Sequence, residues 1–223
     1  AKNHGDYIGE RIDNSLRLID QAIDSVCQNR GGYLFESIQF ATVNFGARSE
    51  RDRMLNNLLA IFARPEMNFG YTHDGNDKIK VACRYLFERI ASDSAMRGAE
   101  FYTPEGISLL FAELLQPKGG DSICDPTCGS GSLLITLGEK IKKSFKSNNY
   151  TLFGQEVNRS SWALAKMNMI MHNEINSRIE WGDIISSPQF LDTDNRLMKF
   201  DVVASNPPFN IIGWNHDDLV HND

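Results

Sequence analysis

The chain has 223 residues, 41% of them hydrophobic, with 29 acidic against 23 basic side chains, a net charge of −6 and a pI near 5.4. That is enough for one large domain, or a medium domain with a helical appendage, around a real core. The acidic balance argues against a protein that grips nucleic acid unaided through a broad basic face, and the longest apolar runs, "LLAIFA" at 58–63 and "ISLLF" at 107–111, fall far short of the roughly 20 residues that span a bilayer.

No signal peptide is expected. The chain starts at Ala1 without methionine and stops at "HND", so it reads as a fragment. Cys27, Cys83, Cys124 and Cys128 lack the spacing of a disulfide framework and read as reduced thiols of a cytoplasmic protein. A zinc site at Cys124 and Cys128 would need a second ligand pair that no Cys or His cluster supplies, so no metal is expected.

In chain order, Ile8, Ile12, Leu16, Ile19, Ile23 and Cys27 recur at three- and four-residue spacing, which predicts an amphipathic helix over 8–27. Further helices are expected around Leu55 to Phe62 and near Lys78 to Ala91, making residues 1–95 an all-helical domain. Residues 96–223 read differently. Thr103, Pro104 and Glu105 predict a helix start, with Thr103 as N-cap and Pro104 at the first helical position. Strands are then expected at Ser122 to Asp125, Tyr150 to Val157, Arg178 to Trp181 and Phe200 to Ala204, with helices at Gly131 to Phe145 and Ser160 to His172. Alternation at this spacing predicts a parallel, doubly wound sheet with helices on both faces.

"ICDPTCGSGSLL" at 123–134 is a strand, a glycine turn and a helix start. No Lys-Ser/Thr follows Gly131, which excludes a Walker A loop, and Leu134 stands where a dinucleotide fingerprint has its third glycine. Gly129 and Gly131 would let a ligand approach backbone, or would only close a tight connection. Asp125 would repel a phosphate but suits a positively charged ligand such as the amino group or sulfonium of S-adenosylmethionine. Glu156, ending the second strand, can accept from both hydroxyls of a ribose, and Asp183 after the third can accept from an adenine amino group. Singly each would pass for a solvated carboxylate or turn former; their repetition at successive strand ends, where open sheets bind ligands, favours a site.

The fourth strand runs into Asn206-Pro207-Pro208-Phe209. The prolines hold Asn206 and Pro207 extended, so the Asn206 side-chain carbonyl and the Pro207 carbonyl can converge on one amino group. Two acceptors there would favour a tetrahedral nitrogen that can attack a methyl group, and Phe209 could stack on an extruded base. A proline-rich strand terminator with a core phenylalanine is the plainer alternative.

"GAEFYTP" (98–104), "DPTCGSG" (125–131), "GQEVN" (154–158), "WGD" (181–183) and "NPPF" (206–209), in this order, resemble the adenine-N6 DNA methyltransferases, most closely the modification subunit of type I restriction-modification systems. The resemblance implies a Rossmann-like S-adenosylmethionine-dependent methyltransferase sheet, truncated after its fourth strand and preceded by the helical domain. It implies that Tyr102, Thr103, Asp125, Gly129 and Gly131 surround the methionine part of S-adenosyl-L-methionine, Glu156 its ribose and Asp183 its adenine, while Asn206, Pro207, Pro208 and Phe209 form the catalytic corner. Implied partners are DNA, a specificity subunit, a second methylation subunit and, in the full complex, a restriction subunit. Methylation of a protein glutamine amide, and an assembly fragment without turnover, are the alternatives; the fragment alone is expected to be inactive.

Overall fold

The computed structural model describes residues 8–26, 34–35, 39–42, 48–68, 78–86, 89 and 103–208. The chain divides into two compact units, Ala1–Lys80 and Val81–Asp223. Among the described residues no helix is long and apolar enough to cross a membrane.

In the first unit, helix α1 (Ile8–Val26) packs against α2 (Arg48–Phe62), and a short 3-10 turn follows at Pro65–Met67. The expected period-3.6 pattern is there, with Cys27 outside the described residues, and α2 begins a full two turns before Leu55. Two acidic residues of α1 face inward. Asp13 accepts the N–H groups of Phe40 (2.7 Å) and Ala41 (2.9 Å), and the buried Asp20 accepts those of Leu34 (2.9 Å) and Phe35 (3.1 Å). Gly9 allows that approach, because a Cβ there would lie 2.7 Å from the Phe40 carbonyl oxygen. Residues 78–86 are helical (α3).

In the second unit, α4 (Glu105–Leu115) precedes β1 (Ser122–Asp125), α5 (Ser132–Phe145), β2 (Thr151–Glu156), α6 (Arg159–Met171), β3 (Arg178–Trp181) and β4 (Val202–Val203). The strands form one parallel sheet in the order β3-β2-β1-β4. The α4 start differs from the expectation. Pro104, not Thr103, is the capping residue; no side chain caps the helix, and the Pro104 carbonyl takes the N–H groups of Ile107 and Ser108. The Thr103 hydroxyl is turned instead to Asn206.

Helices on both faces are not found among the described residues. The connections β1-α5-β2 and β2-α6-β3 step in the same direction, so right-handed crossovers leave both helices on one face. Side chains alternate along a strand, which sets Ile123 and Leu152 on one face and Cys124 and Phe153 on the other. Ile123, Leu152, Leu133, Leu134, Leu137, Ile141 and Met169 are at most 1% exposed and fill the helical side. On the other side Cys124 and Phe153 pack against Phe190, Met198 and Phe200. The connection from β3 to β4 therefore covers that face without a helix; Pro188 and the Asp192–Asn195 turn interrupt it.

Candidate functional site

After β3 the chain returns across the sheet to lay β4 beside β1, so the strand order reverses between these two. Open parallel sheets bind ligands in the crevice beyond such a reversal. Asp125 ends β1 there, and Ala204-Ser205-Asn206 leaves β4 beside it; the Ala204 N–H still donates to the Cys124 carbonyl, 2.9 Å.

The glycine turn closes tightly. Gly131 N–H donates to the Cys128 carbonyl (2.7 Å), Cys128 N–H to the Gln155 carbonyl (2.9 Å), and Thr127 N–H to the Asp125 carboxylate (3.0 Å). Gly129 and Gly131 have φ of 54° and 75°, left-handed values that only glycine takes without cost. Gly131 has a packing reason as well: a Cβ would meet Met169 Cε at 2.7 Å, so its absence lets α5 lie against α6.

Three carboxylates sit along the carboxyl edge. Asp125 is 2% exposed. Burial pushes its carboxyl up to about 7, aided by the Glu156 charge and opposed by hydrogen bonds from Thr127 and Ser205. Glu156 is likewise raised by burial, against the pull of backbone N–H groups. Its oxygens accept Gly129 N–H (2.9 Å) and Asn158 N–H (2.7 Å), so one side chain ties the ends of β1 and β2 together. Asp183 folds its own loop, accepting Ile185 N–H at 2.9 Å and the Ser186 hydroxyl at 3.1 Å.

Across the reversal, Asn206 Nδ2 donates to Thr103 Oγ1 at 3.4 Å, which leaves its carbonyl oxygen free of that contact. The hydroxyls of Thr127 and Ser205 meet at 2.6 Å and bridge the glycine turn to the proline corner. Pro207 is exposed and Pro208 half-buried. Tyr102 and Phe209 lie outside the described residues.

Three residues here were not singled out from sequence. Thr127 and Ser205 carry no pattern that foretells their contact. Gln155 does: a long amide inside a strand between buried neighbours must find partners. It is 0% exposed, donates to the Ser187 carbonyl and accepts the Gln189 N–H, both at 3.0 Å, and so fastens the loop that carries Asp183.

The chain matches, over residues 75–223, the sequence model of a family described as N-6 DNA Methylase. It is 32% identical over 159 residues to the type I restriction enzyme MjaIX methylase subunit of Methanocaldococcus jannaschii, covering 71% of this chain and 27% of that protein. The crystal structure of the type I restriction-modification methyltransferase subunit from Streptococcus thermophilus superposes with a TM-score of 0.67 at 26% identity, over 91% of this chain and 43% of that one. A Listeria monocytogenes structure described as a class I S-adenosylmethionine-dependent methyltransferase shares the fold, with a TM-score of 0.55 at 18% identity, over 95% of this chain and 61% of that one. The chain thus spans roughly a quarter to less than half of the length of the type I relatives it matches.

The second unit has the Rossmann-like fold of S-adenosylmethionine-dependent methyltransferases, and S-adenosyl-L-methionine is the cofactor this fold and family imply. The residues fit it. Burial raises the cost of charging both Asp125 and Glu156, and the Glu156 charge adds to it at Asp125. Two carboxyls whose burial disfavours a negative charge, side by side at one strand-end edge, favour a cationic ligand with hydroxyl donors over a phosphate.

Proposed function

The chain belongs to the N-6 DNA methylase family, and on that premise we propose that it is the N-terminal and cofactor-binding part of a type I modification subunit. That subunit would methylate the N6 amino group of adenine in DNA. One observation carries the reading: the acidic glycine turn and the Asn206 corner meet at the sheet's reversal, joined by the Thr127–Ser205 bridge.

Within this reading residues 1–95 are a helical domain and 96–223 the catalytic domain. Thr103, Asp125, Gly129 and Gly131 hold the methionine part of the cofactor, and Tyr102 is assigned to the same part from its sequence motif alone. Glu156 takes the ribose and Asp183 the adenine. When bound, S-adenosylmethionine supplies an electrophilic methyl group. The Asn206 side-chain carbonyl and the Pro207 carbonyl hold the hydrogens of the target amino group, Pro208 stiffens the corner and Phe209 stacks on the base. Thr103, by accepting from Asn206 Nδ2, keeps the amide carbonyl aimed outward. Dipoles set in advance cost no reorganisation during reaction.

The acidic charge fits a division of labour in which a specificity subunit reads the DNA and supplies affinity, with a second methylation subunit and a restriction subunit completing the complex. The site of action is the cytoplasm.

Calorimetric titration of S-adenosylmethionine into the chain, with Asp125→Ala and Glu156→Ala beside it, tests the cofactor half. Binding that weakens in both variants is expected; equal binding in all three overturns the residue assignments. Asn206→Ala in a full-length subunit with its partners should abolish methyl transfer to DNA and retain cofactor affinity. Labelled methyl found on protein and not on DNA would transfer the reading to a glutamine amide.

A further inference from the structure

Trp181 opens the Trp181-Gly182-Asp183 stretch and has no part in the function proposed above. It ends β3, is half exposed, and stands beside Glu156 in the β2–β3 register. Its indole N–H donates to the Val157 carbonyl at 2.9 Å, and the Arg159 guanidinium lies 4.8 Å from the ring centre. Val157 and Arg159 flank Asn158, the residue whose N–H the Glu156 carboxylate accepts at 2.7 Å. The next residue of β3's end, Gly182, donates its N–H to the Glu156 carbonyl at 3.0 Å. The turn from β2 to α6 is therefore held from the β3 side at three places, Glu156, Val157 and Arg159.

A glutamate side chain has three rotatable bonds, and this one is aimed by the two N–H groups it accepts, from Asn158 and Gly129. The Gly129 donor is fixed by the glycine turn. The Asn158 donor is tied to α6 by its own side chain and carbonyl, while the chain before it is open to solvent, Val157 being 58% exposed. Trp181 ties this stretch to β3 as well, with a directed hydrogen bond before Asn158 and a cation–π contact after it.

We infer that Trp181, with Arg159 stacked on it, is a positioning residue that aims the Glu156 carboxylate at a ribose diol. This rests on the reading of Glu156 as the ribose acceptor. Two hydroxyls caught by one carboxylate demand tighter geometry than one, so a loosened turn costs selectivity for the diol before it costs the fold.

The test uses the full 223-residue chain. Trp181→Phe removes the donor and keeps a ring under Arg159; Arg159→Met keeps ring and donor and removes the cation. In ligand-free protein, hydrogen exchange at the Gly129 and Asn158 amides should quicken roughly tenfold in Trp181→Phe while the Leu152 and Phe153 amides of β2 keep their rates. Calorimetry with S-adenosylmethionine and its 2′-deoxyribose counterpart should show the preference for the diol shrinking roughly tenfold, through weaker binding of the parent compound alone. Arg159→Met should change both readouts in the same direction and by less. Unchanged exchange at Gly129 and Asn158 overturns the inference. So does an equal loss of affinity for both ligands, the mark of a general destabilisation. If the unaltered chain binds neither ligand, the proposed function suffers, and the exchange rates still decide the role of Trp181.

Discussion

Asp20 of α1 and Asp125 of β1 are each 2% exposed, yet their surroundings differ in kind. Asp20 takes one backbone N–H on each oxygen, from Leu34 and Phe35. Asp125 takes one backbone N–H, from Thr127, and a hydroxyl hydrogen bond from Ser205, and burial, aided by the Glu156 charge, pushes its carboxyl up to about 7. Asp20, which joins α1 to the segment around Leu34 and Phe35 through both oxygens, is a fastening. Asp125, buried at a strand end beside a second carboxylate, is a place for a ligand that brings positive charge.

The largest effect expected from breaking that contrast is on binding. Asp125→Ala should weaken S-adenosylmethionine affinity on the order of 100-fold, as loss of a buried charge partner does, read by calorimetry. Unchanged affinity would place Asp125 with Asp20 as a structural carboxylate. Asp20→Ala should act on stability, leaving two N–H groups near a buried leucine without acceptors at a cost of about 2–4 kcal/mol, measured by urea unfolding.

Asp125→Asn sharpens the same point through its sign. The folded carboxyl titrates near 7 against an ordinary value of 3.8, so between these the folded protein holds a proton that the unfolded chain has lost. Stability of the ligand-free protein from this group is highest below the ordinary value and falls as pH rises toward 7. The asparagine variant removes that fall. At pH 8 its Tm should exceed that of the unaltered protein by about 2–4 °C, the yield of 1 kcal/mol in a domain of this size, while cofactor affinity falls as in Asp125→Ala. An unchanged thermal profile from pH 4 to 8 would contradict the burial argument. Smallest of all, Asn158→Ala should cost about 1 kcal/mol. Its amide oxygen accepts Ser160 and Ser161 N–H groups as the cap of α6, a neutral version of what Asp20 does.

Legibility in the sequence followed the range of the interaction. Ser122 to Asp125 could be read as a strand and Arg178 to Trp181 as another because four apolar-rich residues between turn formers leave little choice, and both stand as expected. Thr103 misled because a threonine before Pro-Glu has the local form of a cap, while its hydroxyl found a partner at Asn206, 103 positions on. Alternation of strand and helix suggested helices on both faces; the reversal after β3 is made by an irregular segment whose Phe190 and Phe200 pack on Phe153, a contact with no periodic trace.

What the sequence by itself determined is the local chemistry at each strand end: the left-handed glycines, the acidic residues and the rigid Asn-Pro-Pro, each dictated by backbone sterics and side-chain type over a few residues. Only the tertiary structure decided which of those ends adjoin. The order β3-β2-β1-β4 brings Thr127 to Ser205 and Trp181 to Val157, because strand pairing and face-to-face burial act between segments far apart in the chain, where no local pattern records the partner.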